Sequence, residues 1–172
     1  MKDIKKYTQS DLTFSSLMAI APPDLVECIE RLKRVNQRLD RHPENDAYTH
    51  TQVVVDRVSR HCDIDVSLAA LLHDEGKGRT TDINPKTGMP RSPGHERHSA
   101  QCAWIFSDWI REMGGTPHVV HELVIHHMDK DLNTLCNPPR VSDKMVKHVK
   151  TKPWYDKLEL IMEADRGGTD IP

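Results

Sequence analysis

Apolar residues recur at steps of three and four along much of the chain, the spacing of amphipathic α-helices. The first such run follows Pro22-Pro23-Asp24 and comprises Leu25, Ile29, Leu32, Val35 and Leu39. The segment at 42–46 breaks this pattern, and a second helix is predicted to begin near Tyr48 and to carry His50.

A third helix is predicted from Asp65, its expected N-cap, to Gly76. Its sequence, VSLAALLHDEG, is almost wholly apolar up to His73. A helix that is hydrophobic on all sides must be buried, so we expect this one at the centre of the fold.

The rest of the chain alternates loops with helices. Residues 79–94 and 129–143 are rich in loop-forming residues. Further helices are predicted from His95 to Met113, after Thr116-Pro117, and from near Pro153 to Asp165. Strand patterns are scarce, which predicts an all-α helical bundle. No linker divides the chain, so we expect one domain over 1–172, with an N-terminal extension and helix over 1–40 and a core over 41–168.

Composition narrows the class of protein. The chain has 172 residues, of which 37% are hydrophobic and 29% charged, as in ordinary globular domains. It has no apolar run of the roughly 20 residues that a membrane span needs and no export signal, so we expect a cytoplasmic protein without a membrane partner. The net charge of −2 predicts no strong attraction to nucleic acid, and no specific DNA partner is expected. The four cysteines lack a C-x-x-C pair and are expected to be buried free thiols.

Histidine is the unusual residue type, with 11 copies, most of them between His50 and His127. His73 and Asp74 end the apolar helix, where unpaired polar groups cost several kcal/mol. Other His and Asp residues are also predicted at helix ends, namely His50, His95, His126, His127 and Asp165. Helix ends that converge on one point can form a metal site in an α-bundle. A structural His-Asp pair is the alternative.

Imidazoles with carboxylates and no thiolate suit Mn, Fe, Co, Ni or Zn, and suit Mg less well. Such an ion lowers the pKa of bound water and polarises phosphorus, as hydrolysis of a phosphoester requires. We therefore predict a divalent cofactor, either one ion or two.

Four sequence blocks carry a resemblance to a known family. The order H…HD…D, in HPENDAYTHTQVVV, LAALLHDEGKGRTT, SPGHERHSA and LELIMEADRGG, resembles the HD superfamily of metal-dependent phosphohydrolases. The blocks are similar in order and spacing to the C-terminal HD domain of bacterial tRNA nucleotidyltransferases (CCA-adding enzymes), over roughly residues 40–168.

The resemblance implies roles for particular residues. His50, His73, Asp74 and Asp165 would be the core metal ligands, and Asp74 is the expected catalytic centre. His95 and His126 would complete a second metal site, with His126 preferred over its neighbour His127. Lys77 would contact phosphate or stabilise developing negative charge, although a simple helix-end charge is the alternative.

Other positions are weaker candidates for substrate binding: His98, His127 and Arg166. His98 is predicted on the same helix face as His95 and could contact substrate, but a partly exposed surface histidine is the preferred interpretation. A lysine run near residue 147 fits either an RNA-backbone contact or a solvated helix face.

The implied activity is hydrolysis of phosphoesters in nucleotides or RNA ends, with 2′,3′-cyclic phosphodiesterase and phosphatase activity favoured. A deoxynucleotide phosphohydrolase and a non-catalytic nucleotide-binding module are the alternatives. No Gly-Ser motif followed by paired carboxylates occurs before residue 40, so tailing of tRNA is not expected. The physiological substrate and the oligomeric state stay open.

Overall fold

The computed structural model describes residues 6–37, 46–128 and 143–166, and it confirms an all-α architecture. Within these ranges the chain forms ten α-helices, two 3₁₀ turns and one short hairpin. The helices are α1 Phe14–Ile20, α2 Pro23–Glu30, α3 Ala47–Ser59, α4 Ile64–Leu72, α5 Lys77–Thr80, α6 His95–Ile105, α7 Ser107–Glu112, α8 Pro117–His126, α9 Asp143–Lys150 and α10 Tyr155–Arg166. In the described part of the chain, every helix is too short or too polar to cross a bilayer.

The N-terminal region contains more structure than the apolar pattern predicts. A 3₁₀ turn, Gln9–Leu12, leads into α1, whose Phe14 and Leu17 are buried in the core. The helix predicted from Pro23 is shorter than expected: α2 gives way to a 3₁₀ turn at Arg31–Arg34. Val35 is then extended and its carbonyl accepts a hydrogen bond from Ala47 N. The last predicted position, Leu39, lies outside the described residues.

Helix α4 lies at the centre of the bundle, as its apolar sequence predicts, and it packs against α3, α6, α8 and α10. Eight of its nine residues, Asp65–Leu72, are buried. The N-cap is Asp63 rather than Asp65: the Asp63 carboxylate accepts a hydrogen bond from Val66 N at 3.2 Å. Asp65 points instead to α8 and α10, where it accepts from Thr116 N at 2.7 Å and from Lys157 Nζ at 2.8 Å.

The segment between α5 and α6 is mainly loop, as predicted, with a two-residue hairpin in which Asp82–Ile83 (β1) pairs with Pro90–Arg91 (β2). The next helix is divided. Phe106 leaves helical geometry (φ −99°, ψ 23°), which separates α6 from α7. Gly114 adopts positive φ (82°) just after α7, so that Gly115 N can bond to the Ile110 carbonyl and end the helix.

The tryptophans and cysteines differ in how deeply they are buried. Trp109 and Trp154 are buried, but Trp104 is 48% exposed and lies against His118 and His121 on the surface. Only Cys102 of the described cysteines is a buried thiol; Cys28 is half-buried and Cys62 is exposed. The expectation of buried thiols is thus wrong for Cys62, and Cys136 lies outside the described residues.

Candidate metal centre

Five helix ends meet beside the C-terminus of α4; four of them bring one polar side chain each, and α4 brings two. These side chains belong to His50 in the first turn of α3, His73 and Asp74 directly after α4, His95 at the start of α6, His127 directly after α8, and Asp165 in the last turn of α10. The four imidazoles and Asp74 are buried, and the Asp165 side chain is 11% exposed. The neighbouring imidazole rings are 5.3–5.5 Å apart between centroids.

Three of the imidazoles are oriented by the same hydrogen bond, from Nδ1 to the carbonyl of the residue three positions earlier. His73 Nδ1 donates to the Ala70 carbonyl at 2.7 Å, His95 Nδ1 to the Ser92 carbonyl at 2.8 Å and His127 Nδ1 to the Val124 carbonyl at 2.6 Å. A carbonyl can only accept, so Nδ1 carries the proton and the Nε2 lone pair of each neutral ring is free to bind a cation. These three buried Nε2 atoms have no hydrogen-bond partner within the residues described.

Asp74 is the carboxylate that joins these rings. Its Oδ2 lies 3.3 Å from His73 Nε2 and 3.8 Å from His50 Nε2, while its Oδ1 lies 3.3 Å from His95 Nε2. Two overlapping sets of potential ligand atoms result, each lying within 4.8 Å of one another: His50, His73 and Asp74, and Asp74, His95 and His127. Asp74 belongs to both sets.

Asp165 borders the first set. Its Oδ1 accepts a hydrogen bond from His50 Nε2 at 2.8 Å and lies 3.7 Å from His73 Nε2. Because His50 donates from Nε2 here, a cation bound by that nitrogen would take the place of the proton. Asp165 therefore supplies the negative charge that balances a proton or a cation on His50 Nε2.

Lys77 and Gln37 lie at the edge of the first set. Lys77 Nζ is 2.7 Å from Asp74 Oδ2 and 2.6 Å from Gln37 Oε1, and its side chain is 12% exposed. The ammonium is thus held between the carboxylate and the amide. The sequence predicted a site role for Lys77 but missed Gln37. Gln37 belongs to no motif and is the last residue described before Asp46.

The structure reverses the sequence preference between two adjacent histidines. His127, not His126, lies in the cluster. The His126 ring is stacked on Trp154 with centroids 5.7 Å apart and faces Glu122. Helix α8 ends at His126, which lies on its outer face. His127 is the residue directly after the helix, and its side chain points into the cluster. The same placement directly after a helix is seen for His73.

Two other candidates lie apart from the cluster. His98 and Arg166 are exposed, on α6 and at the end of α10 respectively. His98 lies three residues after His95 on α6, and its Cβ packs near Gly76.

The electrostatics favour ionised Asp74 and Asp165 and a neutral His127. Burial alone would raise the pKa of Asp74, but His73 and Lys77 hold it well below its usual value. Burial likewise opposes ionisation of Asp165, and the hydrogen bond from His50 outweighs it and lowers that pKa. Burial, with His73 and His95 nearby, lowers the pKa of His127 to about 3. Neutral imidazole nitrogens and ionised carboxylates are the states in which these groups bind metals.

The donor set therefore fits a divalent cation. Buried nitrogen lone pairs without partners are costly unless something binds them, and a carboxylate shared between them supplies negative charge. Nitrogen and oxygen donors without thiolate match the borderline transition metals. The His/Asp clusters of this chain could hold a metal ion at either set of ligands.

The comparisons with known proteins point to one kind of relative. The chain is 45% identical over 74 residues to the multifunctional CCA protein of Cupriavidus necator, which is 42% of this chain and 17% of the relative. It is 40% identical over 84 residues to that of Paracidovorax citrulli (48% and 18%) and 44% identical over 96 residues to that of Leptothrix cholodnii (55% and 21%). The aligned part is thus about a fifth of each relative. No protein-family model matches the chain. No solved structure matches it either.

Proposed function

We propose that this chain is a metal-dependent phosphohydrolase of the HD type that cleaves phosphoester bonds in nucleotides or RNA ends. One observation carries the proposal: three buried imidazole Nε2 atoms without hydrogen-bond partners among the described residues surround one ionised carboxylate, Asp74. A fold that keeps three such nitrogens unsatisfied needs a ligand for them. The similarity to multifunctional CCA proteins agrees with the motif resemblance and supports the same class.

His50, His73, Asp74 and Asp165 would hold the cation, and Asp74, His95 and His127 would hold a second cation if two bind. Mn, Ni, Co, Fe or Mg is the expected identity. When bound, such an ion activates water and withdraws charge from phosphorus. The hydrogen bonds from the imidazole Nδ1 atoms to the carbonyls of Ala70, Ser92 and Val124 fix the ring tautomers and orientations before any ion binds. This lowers the cost of binding.

Lys77 is the group of this chain that meets the substrate. Its ammonium is partly exposed and lies against the same Asp74 oxygen that faces His73. A phosphate beside Asp74 therefore comes within reach of Lys77, which stabilises the negative charge that develops during cleavage. Arg166 and His98 contact outer parts of a larger substrate.

The favoured substrate group is a 2′,3′-cyclic phosphate, as the motif resemblance implies, followed by removal of the resulting monoester. A deoxynucleotide phosphohydrolase is the second enzymatic candidate. A nucleotide-binding module without catalysis is a third, and the complete set of buried ligands argues against it, since a binding module needs no cluster of unsatisfied nitrogens.

A substrate panel with defined metals tests the proposal. The purified chain is stripped with chelator, its metal content is measured by elemental analysis, and Mn²⁺, Ni²⁺ or Mg²⁺ is restored. Hydrolysis is then measured with 2′,3′-cyclic nucleotides, 2′- and 3′-monophosphates, deoxynucleoside 5′-monophosphates and short RNAs that end in a cyclic phosphate. We expect metal-dependent opening of the cyclic phosphate.

Asp74→Asn provides the matched control, because it keeps the size of the side chain and removes the shared charge. Turnover that is unaffected by chelator, or by this substitution, would refute the proposal. Cation binding without hydrolysis of any phosphoester would favour the binding module, and a preference for deoxynucleotides would favour the second enzyme.

A further inference from the structure

One face of α6 contacts three consecutive residues of the turn that carries Asp74. His95 faces Asp74, with His95 Nε2 3.3 Å from Asp74 Oδ1. Ser99 Oγ accepts a hydrogen bond from Gly76 N at 2.9 Å. The Cys102 thiol donates to Glu75 Oε2 at 3.1 Å. Positions 95, 99 and 102 follow each other at steps of four and three, so they form a single stripe along the helix.

The approach of α6 to this turn is unusually close, and only glycine permits it. A Cβ at position 76 would lie 2.3 Å from the His95 carbonyl oxygen and 3.0 Å from Ser99 N. The backbones are therefore in contact at the point where His95 enters the cluster. A shift of α6 by even a fraction of an ångström changes the separation of His95 from Asp74.

The two polar contacts beside His95 are fully enclosed. Ser99 is 0% exposed, Cys102 1% and Glu75 2%. Burial, with Glu75 close by, raises the pKa of the Cys102 thiol, which keeps it protonated as a donor. Arg79 holds the other oxygen of Glu75 at 3.2 Å, so this carboxylate cannot turn away.

These directional contacts do what the apolar packing of α6 against α8 cannot. Apolar contacts are non-directional and allow small slides of one helix along another. Two buried hydrogen bonds to defined atoms of the turn allow no such slide without leaving a polar group unsatisfied. The register of α6 against the turn is thus fixed by Ser99 and by the Glu75–Cys102 pair.

We infer that Ser99 and the Glu75–Cys102 pair are positioning residues that set the distance between His95 and Asp74. They belong to neither set of potential ligand atoms. Their effect falls on the set formed by Asp74, His95 and His127, and not on the set formed by His50, His73 and Asp74. The consequence for cation binding rests on the proposed function, whereas the positioning itself does not.

Histidine signals in the metal-free protein test the positioning directly. The imidazole Cε1–H resonances of ¹³C-histidine-labelled full chain are compared between wild type, Ser99→Ala and Cys102→Ala. Ser67→Ala is the matched control, since Ser67 is equally buried on α4 and its hydroxyl has no hydrogen-bond partner within the described ranges. We expect the His95 signal to shift or broaden in both variants and the His50 signal to stay in place, with no change in the control.

A His95 signal that does not move, or that moves together with His50 by the same amount, overturns the inference. If Ser99→Ala fails to fold, Cys102→Ala and Glu75→Gln decide the question, because each removes or weakens one contact at smaller cost. Glu75→Gln retains an acceptor for Cys102 and should displace His95 less than Cys102→Ala does.

A titration with Mn²⁺ alone gives a second readout. In wild type we expect two binding events, and in Ser99→Ala one of them should lose affinity by about tenfold, the size of effect known for groups that orient metal ligands. The other event and the Ser67→Ala control should not change. An equal loss in both events contradicts the inference. A wild-type chain that binds no Mn²⁺ contradicts the proposed function instead, and the histidine signals then decide the positioning role alone.

Discussion

Both ends of α4 are polar, and each has a buried ionisable residue, Asp65 at the start and His73 at the end, yet they differ in one respect. At the N-terminal end, Asp63 caps the helix through Val66 N, and Asp65 binds Thr116 N and Lys157. Lys157 also reaches Asp63 at 3.0 Å. Each of these charged groups has an oppositely charged or hydrogen-bonding partner, so this end needs nothing else.

The C-terminal end also has ionisable side chains, but their hydrogen bonding is incomplete. His73 Nε2 has no hydrogen-bond partner within the described residues, and neither have the facing nitrogens of His95 and His127. Selection for stability alone would favour sequences in which such groups are paired or replaced. Burial of polar groups does not by itself mark a candidate site, whereas several unsatisfied buried nitrogens around one carboxylate do.

The largest effect is expected at the shared carboxylate. Asp74→Ala should reduce kcat/KM by at least about a thousandfold, roughly 4 kcal/mol of transition-state stabilisation, because both ligand sets lose their common negative charge. Steady-state kinetics on the preferred phosphoester measures this. Asp65→Asn, at the opposite end of the same helix, should lower stability but leave kcat/KM within a few-fold. Near-normal turnover of Asp74→Ala would place the catalytic centre elsewhere.

Metal binding should stabilise the fold through the same end. At a free ion concentration a hundred times the dissociation constant, linkage predicts a gain of about 2.7 kcal/mol in the free energy of unfolding. Urea unfolding with chelator and with Mn²⁺ measures this gain. It should be largely lost in Asp74→Ala and retained in Lys157→Met, since Lys157 lies at the satisfied end. An equal gain in both variants would show that the ion binds outside the cluster.

Adjacent histidines provide a finer test. His127→Gln should weaken binding of one cation by at least about tenfold, or 1.4 kcal/mol, because it removes a buried ligand nitrogen. His126→Gln should leave cation affinity unchanged, since that ring is stacked on Trp154 outside the cluster. Calorimetric titration with Mn²⁺ distinguishes the two. The reverse result would restore His126 as the ligand.

The histidine pair also shows how far the sequence alone can lead. Periodicity predicts the helices and their ends, because these are local properties of the chain. The His and Asp residues at those ends then predict that the ends converge on one site. The choice between His126 and His127 depends on whether α8 stops one residue earlier or later, and helix boundaries carry an uncertainty of one or two residues. One residue rotates a side chain by about 100° about the helix axis, enough to exchange the inner for the outer position.

Contacts between distant segments lie beyond such local signals. Gln37 reaches Lys77 across the fold, and Ser99 reaches Gly76, without any motif that links them. Glu75 looks like a tolerated charge at a helix end, yet it is buried and bound by Cys102 and Arg79. The division of the predicted helix at Phe106 is a comparable case, because the apolar pattern does not signal it.

The smallest expected effect belongs to the satisfied end of α4. Lys157→Met retains the apolar length of the side chain and removes its bonds to Asp63 and Asp65. The side chain is 33% exposed, so solvent screens the pair, and we expect a loss of about 1 kcal/mol in the free energy of unfolding at neutral pH. Urea unfolding measures this loss. Activity per folded molecule should change little, since Asp165 lies eight residues, or about 12 Å, further along α10.

The pH dependence gives this prediction its sign. Burial alone would lower the pKa of Lys157, but Asp65 and Asp63 outweigh it and raise that pKa above its unfolded value. The protonated lysine therefore stabilises the fold fully below the unfolded pKa of about 10.4, and this contribution is lost as the pH rises through the higher folded pKa. The difference in stability between wild type and Lys157→Met should stay constant from about pH 6 to 9 and shrink above about pH 10.5. A difference that instead grows at alkaline pH would mean that the charge of Lys157 opposes folding, and the two ends of α4 would then no longer differ in the way described.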